Sequence, residues 1–77
     1  MTPEQHLNNK QMEKVNINLA DFEELQRIIH IGPVRASMII HKRETKGRFK
    51  DRYEITKIHS LGEKRMDGII KQGIVEV

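Results

Sequence analysis

Two bends in this chain of 77 residues carry groups that could hold a phosphate: Ile31-Gly32-Pro33-Val34-Arg35 and Leu61-Gly62-Glu63-Lys64-Arg65. Each sets a glycine three residues ahead of an arginine, between two stretches of apolar periodicity. A glycine lets an anion approach the backbone closely. Amides at the start of the following helix have no intrahelical acceptor, and the helix dipole adds partial positive charge, so a phosphate oxygen can be bound there by backbone alone. Arg35, Lys64 and Arg65 are placed to add charge-assisted contacts. None of these groups reads a base edge, so binding of this kind is indifferent to sequence and falls steeply with salt.

Other chemistries find little footing. His6, His30, His41 and His59 do not stand at metal-ligand spacing, and the chain has no cysteine. Ser37 and Ser60 lack an evident base and a group to orient it. Asp21 with Glu24, and Asp51 with Glu54, make same-face carboxylate pairs, but helix capping accounts for both. The expectation is a binding protein with no catalytic residues.

The elements that position the bends repeat. Residues 21–40 align with residues 51–70 at a constant offset of thirty, pairing Asp21/Asp51, Glu24/Glu54, Ile28/Ile58, Gly32/Gly62, Arg35/Arg65, Ile39/Ile69 and Ile40/Ile70. One supersecondary unit used twice is the simplest cause, and its pattern reads as helix, tight turn, helix. A chain this short holds one small domain, and without disulfides its stability rests on a core shared by the two copies. No apolar stretch is long enough to span a bilayer.

The net charge of +3 is uneven. Residues 1–30 hold three Lys/Arg against five Asp/Glu, whereas residues 31–77 hold eleven against six. This asymmetry suits a polyanionic partner, although on a small domain it also serves solubility. Residues 42–52 concentrate Lys42, Arg43, Lys46, Arg48, Lys50 and Arg52. A helix of about twelve residues, roughly 18 Å long at 1.5 Å per residue, would separate this cluster from the bends. It reads as a solvated connector, with a secondary electrostatic or protein contact as the alternative.

Along the chain, residues 1–14 are polar and read as a flexible arm, leaving residues 15–77 as the domain. Val15-Asn16-Ile17-Asn18 alternates as a short extended lead-in with Val15 and Ile17 under the core. Asp21 and Glu24 form a capping box, predicting a helix from Phe22 to near His30 with Phe22, Leu25, Ile28 and Ile29 inward. Pro33 suits the first position of a second helix reaching Glu44, which buries Ala36, Ile39 and Ile40 and exposes Arg35, Ser37, Lys42 and Arg43. Gly47 permits a turn in the connector, and Phe49 anchors it. The second copy restarts at a capping box of Asp51 and Glu54, runs a short helix through Ile55 and Ile58, and turns at Ser60-Leu61-Gly62. It continues from Glu63 to Gln72 with Met66, Ile69 and Ile70 inward, and Gly73 suits the residue after its end. The tail Ile74-Val75-Glu76-Val77 packs back beside Val15 and Ile17.

The phrases around the bends, Ile28-Ile29-His30-Ile31-Gly32-Pro33-Val34-Arg35-Ala36 and Ile58-His59-Ser60-Leu61-Gly62-Glu63-Lys64-Arg65-Met66, resemble the helix-hairpin-helix motif. With Val-Asn-Ile-Asn ahead of the first helix, Arg43-Glu44 followed by Gly47 and Phe49, and the closing Gly73-Ile74-Val75-Glu76-Val77, residues 15–77 resemble the DNA-binding domain of bacterial ComEA-type competence receptors. The resemblance implies an all-α fold: a single domain of two pseudo-twofold-related motifs in a SAM-domain-like bundle of four to five helices. It implies double-stranded DNA as partner, gripped by phosphates across a minor groove at His30, Gly32, Val34, Arg35, Ser60, Gly62, Lys64 and Arg65, in DNA uptake or processing.

It implies no small-molecule substrate, no membrane contact by this segment and a monomer. The only cofactor option it leaves is a monovalent cation at a hairpin. An anchored receptor fragment would lie on the extracellular face of the membrane, a free-standing one in the cytoplasm. In both copies the motif's first glycine is replaced, by His30 and by Ser60, where a Cβ opposes a positive φ. Glu63 sets a carboxylate beside Gly62. The alternative is therefore a degenerate helix-hairpin-helix scaffold serving as a protein-interaction module.

Overall fold

A computed structural model describes residues 13–77. Most of the expected arm lies outside the described residues. Its last two are placed: Glu13 stands 3.6 Å from Arg27, and the Lys14 ammonium donates to the Gly73 carbonyl at 2.6 Å.

The chain is all-α. Strand β1 (Val15–Asn16) is followed by helices α1 (Phe22–Leu25) and α2 (Pro33–Thr45), a 3-10 helix (Arg52–Ser60), helix α3 (Gly62–Gln72) and strand β2 (Val75–Glu76). The two strands are a minimal parallel ladder, with Val15 opposite Val75 and Asn16 opposite Glu76, so the tail closes on the lead-in as expected. Val15, Ile17 and Val75 are buried beneath it.

The offset of thirty organises the core. Leu25/Ile55, Ile28/Ile58, Ile31/Leu61, Ala36/Met66 and Ile39/Ile69 are buried in both copies, and Ile40 and Ile70 both pack against them half-covered. Each copy alone would leave this stripe exposed to water; facing each other, the two stripes remove it. Phe49 joins the core from the connector at 1 % exposure. Asn18 pins it there, its side-chain amide donating to the Phe49 carbonyl at 3.0 Å and its oxygen accepting the Phe49 N–H at 2.6 Å.

Two local expectations are corrected. Helix α1 stops at Leu25 instead of continuing towards His30, because the chain tightens into three-residue bonds: Gln26 N–H to Glu23 O, Arg27 N–H to Glu24 O and Ile28 N–H to Leu25 O. At three residues per turn, positions i and i+3 eclipse. Leu25, Ile28 and Ile31 therefore form the buried edge, while Phe22 and Ile29 turn outward at 41 % and 44 % exposure. The second copy does the same with Ile55, Ile58 and Leu61. The capping box at Asp21 and Glu24 forms in both directions. That at Asp51 and Glu54 does not: Asp51 accepts from the Tyr53 N–H, and Glu54 reaches back to Lys50.

Candidate nucleic-acid interface

The first bend is built by the residues between Ile28 and Pro33. His30 has φ +70, the left-handed conformation that the missing glycine would have supplied. Gly32 caps α2 in extended backbone, φ −99, and a Cβ there would meet nothing within 4 Å. Helix α2 begins at Pro33, which has no N–H, and a first-turn bond joins the Ala36 N–H to the Gly32 carbonyl at 2.9 Å. The amides of Val34 and Arg35 precede that bond, beside an open glycine. Val34 is 56 % exposed.

The second bend reaches a comparable position by a more strained path. His59 and Ser60 have φ +40 and +56, Gly62 has φ +79, and α3 starts there with Glu63 in its first turn. The Ser60 backbone therefore also takes up a glycine-like conformation. Non-glycine residues held there cost about 1 to 3 kcal/mol each. Gly62 faces open space, and Lys64 and Arg65 are exposed.

Arg35 brings the bends together. Its Nη1 donates to the His30 carbonyl at 2.9 Å and its Nε to the His59 carbonyl at 3.3 Å. The two bends thus lie side by side, no farther apart than one guanidinium and two hydrogen bonds can reach. Arg65, its repeat-equivalent, makes the matching bond five residues back, from Nη1 to the Ser60 carbonyl at 3.4 Å, and another to the Leu61 carbonyl at 3.2 Å. Arg35 was expected to be exposed, and both arginines to add phosphate contacts; Arg65 is exposed. Each also spends donors on its own bend, and Arg35 is half-buried rather than exposed in doing so. A guanidinium has five donors, so donors remain for an anion.

Sequence reasoning missed the brace on the first bend. Gln72 at the end of α3 donates to the Arg27 carbonyl at 3.2 Å and accepts the Ile29 N–H at 2.9 Å. The His30 ring lies over Gly68 of the same helix, where a Cβ would stand 3.1 Å from Nε2. His30 therefore touches α3 while remaining exposed. The only signals were a glycine inside a helical pattern and a glutamine whose repeat-equivalent is Lys42.

The basic connector is partly structural. Lys42 lies 5.1 Å from the Phe49 ring centre, Arg52 lies 5.5 Å from that of Tyr53, and Arg43 donates to the Ile17 carbonyl at 2.9 Å. Lys42 and Arg43 are half-buried rather than exposed. Lys46, Arg48 and Lys50 remain exposed, with the length of α2 between them and the first bend. Among the described residues, no cluster of His, Asp and Glu could hold a metal ion, and no helix is long and apolar enough to cross a membrane.

Comparison with known proteins gives the same motif. The family model described as "Helix-hairpin-helix motif" matches residues 10–72. The chain is similar to ComE operon protein 1 of Bacillus subtilis (strain 168), 49 % identical over 55 residues that cover 71 % of this chain and 27 % of that protein. The chain thus spans about a quarter of the length of the curated relative it matches. No solved structure matches it.

Proposed function

The chain belongs to the helix-hairpin-helix family, and on that premise we propose that it binds double-stranded DNA without sequence preference, taking backbone phosphates at its two bends, in DNA uptake or DNA processing. The observation that carries this reading is the Arg35 bridge, which sets two glycine-lined helix starts beside each other. Two such starts present unpaired amides and dipole ends to neighbouring phosphates. The likeness to ComE operon protein 1 supports DNA uptake as the setting.

The backbone also speaks against a decayed scaffold. His30 and Ser60 keep positive φ although each must hold a Cβ there, so both bends retain the shape that the lost glycines would favour. A bend released from binding would be free to relax from that conformation.

Fluorescence-anisotropy titration of a labelled duplex at several salt concentrations tests the proposal. Engagement of about two to four phosphates gives a log–log slope of roughly −2 to −4. Absence of binding at low salt overturns it and leaves the protein-interaction reading in its place.

A further inference from the structure

Arg35 stands where a cation is unfavourable, in the first turn of α2, at the positive end of the helix dipole. Its position is explained by what it bonds. The acceptors at 2.9 Å and 3.3 Å, the carbonyls of His30 and His59, belong to different repeats. Arg65 offers the internal control: its bonds stay inside its own bend. The symmetry between the arginines is therefore broken at one point, and there the two bends are tied.

A guanidinium is planar, with donors at fixed angles, so two carbonyls held by its Nε and Nη1 are fixed relative to each other as well as to Arg35. A lysine ammonium keeps the charge but is a point donor on a flexible stem, and it imposes no such relation. We infer that Arg35 is a positioning residue that sets the spacing of the two phosphate grips, so that they engage one duplex as a unit. Its functional arm rests on the DNA binding proposed above; its structural arm does not.

The discriminating variant is Arg35→Lys, with Arg48→Lys in the exposed connector, outside both bends, as the control. Loss of the tie lets the bends engage one at a time, so Arg35→Lys should lower duplex affinity about tenfold at low salt and bring the log–log slope down by about half. Arg48→Lys keeps its charge away from both bends and should change affinity less than about threefold and leave the slope as it was. If Arg35 instead acts by touching phosphate, lysine preserves the contact; near-native affinity and slope for Arg35→Lys overturn the inference.

The DNA-free readout is the amide NMR spectrum of the same variant. Shifts at both His30–Gly32 and His59–Gly62 are expected, and shifts confined to the first bend overturn the tie even if the native chain binds no DNA at all. Should Arg35→Lys unfold, Arg35→Gln is carried through both measurements. Unfolding of both variants overturns the inference by making Arg35 a requirement of the fold itself.

Discussion

The two bends of this molecule share a repeat position and are built with different mechanics. The first has one left-handed residue, His30, an extended Gly32 and a proline at the helix start, and α3 braces it through Gln72 and Gly68. The second packs positive φ into His59, Ser60 and Gly62, carries a carboxylate at Glu63, and is braced by Arg35 from the opposite repeat. Each bend is thus held by a helix of the other copy. The two copies share their core positions and differ in their cross-braces. The first bend is the less strained one, with one left-handed non-glycine residue against two, and the second also depends on a glycine at positive φ.

The largest effects should ignore this asymmetry. Ile39 and Ile69 are repeat-equivalent and 0 % exposed, so either one changed to alanine should cost about 2 to 5 kcal/mol in denaturant unfolding. Near-equal costs would affirm that the core is symmetric; a large inequality would mean that one copy carries the fold.

The glycines should then separate the bends. At φ +79, Gly62→Ala is strained and should cost about 1 to 3 kcal/mol of stability. Gly32→Ala, extended and facing open space, should stay within about 0.5 kcal/mol of the native chain by thermal melting. Its methyl nevertheless stands where a phosphate would approach, so its duplex affinity should drop several-fold at unchanged stability. Equal stability losses for both glycines would remove the distinction between a less and a more strained bend.

Gln72→Ala should cost about 1 kcal/mol, the worth of an exposed pair of hydrogen bonds. Hydrogen exchange should speed at the Ile29 amide and stay unchanged at Leu61, whose N–H is held by the Ile58 carbonyl of its own bend. Smallest of all, Glu63→Gln removes a carboxylate from the second bend and should raise duplex affinity about two- to threefold, an effect that vanishes at high salt. No change at low salt would place Glu63 outside the phosphate path.

What could be read from the sequence follows what has a side-chain signature at both ends. The repeat, the paired core positions, the Asp21–Glu24 box, the Phe49 anchor and the return of Val75 to Val15 all rest on residue types that identify each other. The missed features rest on side chains that bond backbone. Arg35 to His59, Gln72 to Arg27 and Ile29, and Asn18 to Phe49 all join residues far apart in sequence, and the partner group is one that every residue carries. No residue type marks the receiving end. The misread first helix is a different case. Leu25, Ile28 and Ile31, echoed by Ile55, Ile58 and Leu61, already spelled a period of three, and the 3.6 template chose Ile29 over Ile31.

The central claim is that both bends meet the same duplex. Mapping backbone amide shifts of the native chain during titration with a short duplex tests it most directly. The account predicts the largest shifts at Gly32, Val34 and Arg35 and, at the same DNA concentration, at Gly62, Lys64 and Arg65. Shifts gathered on Lys46, Arg48 and Lys50 with both bends silent, or on one bend alone, would contradict it.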